Sequence, residues 1–310
     1  MIIKRLLTSI LVIIGVTIVI FSLVHMAPGD PVQMMAGLDA KEEDIEALRA
    51  KMGMDKPLIV QYFNYVKGLL HLDLGKSIIT NKNISDEIFF RFRNTAELAV
   101  AGMLISSVFG IIIGIIAAVN RDRWLDKTLM SLSITGISMP SFLLALLLML
   151  LLVSQWHLLP ASGREGSPFT AEGFKYIILP ALTLGISGTA SIARLTRSSV
   201  VAVLNEEFVM TLKAKGLRRK MILFKHILRN ASLPILTMIG LDFGYLLGGA
   251  VVTETIFAWP GIGKYAMDAI SQNDFPAVQG AVLILSMMFM LINLVVDLLY
   301  GVLDPRVSLE

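Results

Sequence analysis

Long apolar stretches recur along the chain, separated by polar segments that carry most of the charged residues. A bilayer core about 30 Å thick is crossed by about 20 helical residues. Six stretches reach roughly this length, so the pattern predicts an all-α membrane protein with six transmembrane helices. The predicted spans are about Leu6–Val24, Ala96–Val119, Leu129–Val153, Phe174–Ala193, Leu233–Val252 and Val278–Leu303.

The first and fourth stretches have the least regular patterns. The first follows Lys4 and Arg5 and resembles a signal peptide, but no small-residue cleavage site precedes Pro28. We therefore expect residues 1–26 to form an uncleaved transmembrane helix. The fourth stretch is interrupted by one proline and two glycines, which are Pro180, Gly185 and Gly188.

Lysine and arginine in short loops indicate the orientation, because positive charge near a span resists translocation. Basic residues concentrate between the second and third spans and between the fourth and fifth, whereas the loops around 155–172 and 254–277 carry few of them. Both basic loops are therefore predicted to be cytoplasmic. The N-terminus and a short tail, 304–310, are then cytoplasmic as well.

The composition favours burial in a membrane over a soluble domain. Hydrophobic residues make up 55% of the chain and charged residues only 16%. The net charge of +3 does not indicate nucleic-acid binding, because topology explains where the basic residues lie. Cysteine is absent and the four histidines are scattered, so we expect no disulfide, cysteine nucleophile or metal site.

Residues 27–95 are predicted to form a small helical segment outside the membrane, before a permease core over 96–303. Asp39 is suited to cap one helix, Pro57 to begin a second, and Ser85 to cap a third that leads into the second span. Such a segment could brace the spans or receive an external partner. The pattern alone favours bracing.

The connection between the fourth and fifth spans predicts a surface helix at about 203–220. Apolar residues recur there at helical spacing with charged residues between them, and Gly216 provides a break. Three interpretations compete at this point. The helix could lie on lipid headgroups, form a solvated run of charge, or insert into a groove on another protein.

Several motifs, in this order and spacing, resemble those of the B-type permeases in the dipeptide, oligopeptide and nickel group of ABC importers. They cover essentially the whole chain, although no single one would be specific. The matching segments are Val24–Pro31, Asp73–Ser77, Glu206–Leu217, His226–Pro234, Thr253–Gly263, Asn293–Gly301 and Asp304–Arg306.

This resemblance implies a type I importer permease whose cytoplasmic coupling helix docks in a cleft of an ATP-binding subunit. One departure is Met210-Thr211-Leu212, where the family's motif has a Glu-Ala-Ala triplet, so the acidic residue that contacts the ATPase is undetermined. The predicted coupling residues are Glu206, Glu207, Phe208, Thr211, Lys213, Ala214, Gly216 and Leu217.

The resemblance also implies the partners and the cargo. It implies a second homologous permease in a heterodimer, two ATP-binding subunits that hold ATP and Mg, an extracytoplasmic substrate-binding protein, and the lipid of a bacterial or archaeal cell (inner) membrane. The cargo would be dipeptides or short oligopeptides, moved by alternating access. Nickel or a metal chelate is the alternative within the family.

No nucleotide site is expected in this chain. Gly75-Lys76-Ser77 looks like the end of a phosphate-binding loop, but Leu70 occupies the earlier glycine position and the segment is predicted to lie outside the cell. No paired carboxylates or nucleophile motif stand out either. We therefore expect a non-catalytic subunit that binds no cofactor itself.

Two further groups are candidate functional residues. In the fifth span, Gly240, Gly244 and Gly248 place small residues on one helix face near Asp242 and Tyr245, which suits helix packing or a translocation path. After that span, an aromatic segment could anchor at the interface, form a gate or contact a receptor, and its residues are Phe257, Trp259 and Pro260.

A hypothesis from another class is a secondary transporter driven by an ion gradient, with the basic loop lying on lipid. No buried acidic and basic pairs of the kind that proton-driven carriers use are evident in the sequence. An interaction or scaffold protein is a weaker third possibility. Transport that continues without any ATPase would support the carrier.

Overall fold

The computed structural model describes residues 2–26, 32–33, 41–51 and 53–303, and these are predominantly helical. Predictions that involve Asp39, the segment after Met26 or the tail at 304–310 lie outside the described residues. The main helices are α1 Ile2–Met26, α2 Glu42–Lys51, α3 Leu58–Leu70, α4 Ile84–Val119, α5 Trp124–Ser138, α6 Ser141–Leu148, α7 Ala171–Leu204, α8 Glu207–Ala214, α9 Arg219–Met221, α10 Leu228–Ile256, α11 Ile262–Ser271 and α12 Phe275–Leu303.

Within the described part of the chain, five helices are long and apolar enough to cross a membrane. The predicted third span is different, because the chain bends by 107° between α5 and α6. Counting this bent pair as one span gives six. Pro140 explains the break, since it lacks an N–H and disfavours helical geometry at Met139, which is extended with ψ 125°.

The chain divides into two compact units. We call Ala96–Trp259 with the end of α12 from Phe289 the central unit, and Ile2–Thr95 with Pro260–Met288 the N-terminal unit. Each is described by itself below.

In the N-terminal unit, α3 packs on the end of α1. Tyr62 contacts Phe21 edge-on and lies 3.0 Å from Thr17 between hydroxyl oxygens, while Gln61 pairs with His25 at 3.0 Å. Burial, reinforced by Tyr62, raises the pKa of Tyr65 to about 12. These contacts show that α3 braces α1.

The predicted cap at Ser85 is wrong. Helix α4 begins at Ile84 and runs without interruption into the second predicted span, so the predicted helix is present but Ser85 does not cap it. Ser85 lies inside the first turn, and its hydroxyl donates to the carbonyl of Leu72 at 2.7 Å. The side chain therefore holds the preceding loop.

In the central unit, α7 is the most buried of the long helices, with 61% of its apolar window inside the structure. The helix continues through Pro180 to Leu204, well beyond the predicted end at Ala193. It lies against α4 through small residues. A Cβ added to Gly110 would lie 2.7 Å from the side chain of Ile192, and one added to Gly114 would lie 2.5 Å from the Cβ of Thr196. Glycine at these positions permits close helix packing.

Candidate functional site

The predicted coupling segment, Glu206–Leu217, consists of helix α8 and its two ends. Helix α7 extends to Leu204 and α8 begins at Glu207, so the predicted surface helix at about 203–220 corresponds to the end of α7, a turn, α8 and the start of α9. Helix α9 begins the return toward α10 through a π-helical stretch, Ile222–Ile227.

Gly216 ends α8. Its backbone has φ +75°, a left-handed conformation that glycine adopts at little cost. The N–H of Gly216 donates to the carbonyl of Lys213 at 3.0 Å, and the N–H of Leu217 donates to that of Leu212 at 3.3 Å. This pair of bonds is the Schellman motif, which satisfies carbonyls at a helix end and reverses the chain.

The apolar face of α8 packs against its own chain. Val209 is 1% exposed within a cluster formed by the ends of α4, α7 and α10, and Phe208, Leu212 and Leu217 are packed against that cluster. This apolar face is therefore not available to insert into lipid or into a partner's groove. What α8 presents outward is a polar face around one large apolar side chain, Met210, which is 75% exposed.

Most predicted coupling residues lie on this outward surface. Glu206, Glu207, Thr211, Lys213, Ala214 and Gly216 are exposed, whereas Phe208 and Leu217 are partly buried. The structure thus separates the predicted set into an outward group and an anchoring group. Their contact with an ATPase stays a prediction.

An ion pair with a buried carboxylate, which the sequence pattern does not indicate, supports the same end of the central unit. Arg197 of α7 donates from Nε and Nη2 to the two carboxylate oxygens of Asp126 in α5, both at 2.6 Å. The N–H of Asp122 also donates to this carboxylate at 2.9 Å. A bidentate pair of this kind fixes the start of α5 against α7. In the sequence, Arg197 is one of the basic residues between the fourth and fifth predicted spans, which served only to predict the orientation.

A cavity of about 620 Å³ lies in the central unit, between the bend that joins α5 to α6 and the middle parts of α7 and α10. Its volume is in the usual range for small-molecule sites. The lining combines hydroxyl and apolar groups and comprises Ile137, Ser138, Met139, Pro140, Ser141, Thr183, Leu184, Ser187, Gly188, Ser191, Met238, Leu241, Asp242, Tyr245 and Leu246.

Asp242 and Tyr245 therefore both line this cavity. Asp242 is 9% exposed, and its Oδ2 has no hydrogen-bond partner within the described part of the chain. The carboxylate fits because Gly188 has no side chain, since a Cβ there would overlap Asp242 Oδ2. Tyr245 is 75% exposed. Their roles in transport stay predictions.

The three glycines of α10 differ in what they contact. Gly240 lies against Val296 of α12, and a Cβ added to Gly244 would lie 3.1 Å from the ring of Phe289. Nothing lies within 4 Å of a Cβ added to Gly248. Two of the predicted positions thus serve packing within the chain, and Gly248 faces open space.

The aromatic residues that follow α10 are buried. Phe257 and Trp259 are 2% and 1% exposed, so their rings are buried within the chain, and a role as gate or receptor contact stays a prediction. The carbonyl of Phe257 accepts from the N–H of Gly163 at 2.8 Å, and the guanidinium of Arg164 lies 5.6 Å above the Trp259 ring. In the N-terminal unit, the carbonyl of Pro260 accepts from Asn94 at 2.7 Å.

The loop that resembled a phosphate-binding loop is occupied by contacts within the chain. The Ser77 hydroxyl donates to a carboxylate oxygen of Asp274 at 2.5 Å, and the Ile78 N–H donates to the other oxygen at 3.2 Å. A buried carboxylate at this position would repel a phosphate.

Helices of membrane-spanning length, a cavity between them and a surface helix anchored at one end define the chain as a polytopic α-helical membrane protein. Two family models match it. "Binding-protein-dependent transport system inner membrane component" matches residues 110–309, and "Binding-prot-dependent transport system membrane comp, N-term" matches residues 1–99. The chain belongs to this family of inner-membrane permeases.

Full-length relatives place it more closely. It is 42% identical to the "Dipeptide transport system permease protein DppB" of Escherichia coli (strain K12), and the match covers 99% of this chain and 98% of the relative. It is also 42% identical to the "Glutathione transport system permease protein GsiC" of Salmonella typhi, with the same coverage. The chain is thus an ABC importer permease of the peptide family.

Solved structures agree with this fold. An inward-facing structure of the MetNI methionine ABC transporter superposes with a TM-score of 0.59 at 15% identity, covering 70% of this chain and 96% of that one. A crystal structure of an amino acid ABC transporter with histidines gives a TM-score of 0.53 at 15% identity, covering 70% and 94%. The type I permease fold is therefore confirmed.

Family membership also decides two earlier points. Permease subunits of ABC importers are non-catalytic, and ATP is hydrolysed by separate subunits, so this chain is a transport subunit and not an enzyme. The hypothesis of an ion-coupled secondary transporter is not supported.

Proposed function

We propose that this chain is one of two homologous permeases that together import dipeptides or short oligopeptides by alternating access. The observation that carries the proposal is the full-length similarity to permeases named for dipeptide and glutathione transport. Both names denote short peptides. The cavity supports the proposal, because its position among α5, α6, α7 and α10 and its mixed lining suit a small polar solute.

The energy would come from two ATP-binding subunits, with ATP and Mg bound there and not in this chain. Helix α8 suits the contact with one of them. Its apolar residues fix it to the ends of α7 and α10, so a force applied to the outward face is transmitted to helices that line the cavity. A rigid helix seated on a partner can bias two packings of a helical bundle.

An extracytoplasmic binding protein would deliver the peptide from the opposite side, and both termini of this chain would be cytoplasmic. The concentration of basic residues between α7 and α10 supports this orientation. The protein would then lie in the cell membrane of a bacterium or archaeon.

Uptake into proteoliposomes tests the proposal. The chain is reconstituted with its partner permease, ATP-binding subunits and binding protein, and labelled dialanine is supplied on the binding-protein side. We expect accumulation that requires both ATP and the binding protein. Accumulation without ATP, or none with dipeptides, tripeptides and glutathione alike, would contradict the proposal.

The same vesicles test the alternative cargo. Nickel, supplied as the free ion or as a histidine chelate, should not accumulate and should not stimulate ATP hydrolysis. Stimulation by nickel but not by peptides would replace the proposed cargo with a metal chelate, while leaving the ATP-driven mechanism in place.

A further inference from the structure

The cavity of the central unit presents one carboxylate and several hydroxyl groups to whatever enters it. Asp242 is its only charged side chain among the described lining residues. Two lining hydroxyls have already donated their hydrogens along their own helices, since Ser138 donates to Ile134 O at 2.9 Å and Thr183 donates to Leu179 O at 3.0 Å. Their oxygen atoms can still accept hydrogen bonds from a ligand.

A further hydroxyl lies beside the carboxylate. Ser106 lies near Asp242, next to Gly188, and its hydroxyl donates to Met103 O at 3.0 Å. No described lining residue is a lysine, arginine or histidine. A buried carboxylate with no cation beside it is costly, unless a cation from elsewhere pairs with it.

We infer that Asp242 is the subsite in the permease for the protonated amino terminus of a peptide in transit. An α-ammonium carries one positive charge and three N–H donors, which complement one carboxylate and a set of accepting hydroxyls. The apolar lining residues Met238, Leu241 and Leu246 leave room for side chains without selecting among them. This inference rests on the proposed function and adds the chemical group that the cavity recognises.

A metal ion is a poorer fit to the same carboxylate. Metal sites in proteins use several oxygen, nitrogen or sulfur ligands. Within the described residues no group of three or more histidine, cysteine, aspartate or glutamate side chains is placed to hold an ion. The cavity therefore favours an organic ammonium group over a bare divalent cation.

Binding to the permease complex without its binding protein tests this subsite. The complex with the partner permease and ATP-binding subunits is placed in nanodiscs, and binding of dialanine and of N-acetyl-dialanine is measured by equilibrium dialysis. We expect dialanine to bind about tenfold more tightly, which corresponds to about 1.4 kcal/mol. Nickel chloride should not displace it.

Two variants complete the test. Asp242→Asn keeps the size of the side chain and should remove the preference for the free amine. Asp86→Asn removes an exposed carboxylate from the N-terminal unit and should leave the preference intact. The comparison of the two peptides on the unaltered complex remains decisive if Asp242→Asn fails to assemble.

Equal binding of the two peptides, binding of neither, displacement by nickel, or a preference that survives in Asp242→Asn would each overturn the inference. These failures are distinguishable from failure of the proposed function. If dialanine is taken up in the complete vesicles but the preference is absent, only the subsite is wrong. If no peptide is taken up at all, the proposed function is wrong.

Discussion

Replacing Gly216 with alanine should loosen the end of α8 without any steric clash. A Cβ at this position meets nothing within 4 Å, so the cost comes only from the backbone, which has φ +75°. This conformation costs a non-glycine residue about 1–2 kcal/mol. Alanine also makes the unfolded chain less flexible than glycine does, which offsets about 0.4–1 kcal/mol of that cost. The net loss is about 1 kcal/mol, or about fivefold in the local opening equilibrium.

Hydrogen exchange measures this opening directly. In the reconstituted complex, amides of Leu217 and Gly216 should exchange about fivefold faster in Gly216→Ala, because their bonds to Leu212 and Lys213 close the Schellman motif. Gly216→Asn is the matched control, since asparagine tolerates the left-handed region and should change exchange less. Equal exchange in all three proteins, or a larger effect for asparagine than for alanine, would refute the assignment of Gly216 as a helix stop.

Three further predictions concern stability of the purified complex, followed by thermal unfolding. Arg197→Met should lower the stability of the complex by about 2–3 kcal/mol, because it leaves the buried carboxylate of Asp126 without its cation. Arg197→Lys keeps the positive charge and should lower the stability less. Gly114→Ala should cost about 1–3 kcal/mol of stability through overpacking against α7. Gly248→Ala is the control and should be nearly neutral, because open space surrounds that position. Equal effects of the two substitutions would contradict the packing. Ser77→Ala should cost about 1–3 kcal/mol by removing the donor to a buried carboxylate, and an unchanged melting temperature would argue against that bond.

Hydrophobic length and periodicity were sufficient to predict most of the spans. Four of the predicted stretches lie within single helices, at α1, α4, α7 and α10, and the last, Val278–Leu303, lies within α12. The third stretch is bent and is not one straight helix, because its apolar pattern continues through Met139 whereas the backbone is extended there. Pro140 was the available signal, since it restricts the residue before it.

The fourth stretch had the weakest pattern, yet α7 is the most buried long helix. Glycine, serine and threonine lower its hydropathy, but the same small residues let α4 approach it closely at Gly185 and Gly188. A hydropathy window measures the preference for lipid and so undervalues a helix that faces protein.

The candidate sites show what periodicity cannot give. Periodicity predicted that α8 has an apolar face, but not that this face packs on α7 and α10 of the same chain. The pattern within one segment does not indicate which other segment it contacts. The sequence likewise indicated that Asp242 is unusual within a span, but it did not predict the cavity. The cavity forms only because the chain bends at Pro140 and because α7 lies next to α10. Contacts between distant segments determine both features.

Cysteine cross-linking tests the central claim most directly, namely that the outward face of α8 is held by an ATP-binding subunit. The sequence contains no cysteine, so Met210→Cys introduces a single thiol on the exposed face and Val209→Cys introduces one in the buried cluster. We expect Met210→Cys to cross-link to the ATP-binding subunit in the assembled complex, and Val209→Cys to react little. Labelling of Met210→Cys from the binding-protein side of the membrane, or the absence of any cross-link to that subunit, would contradict the mechanism.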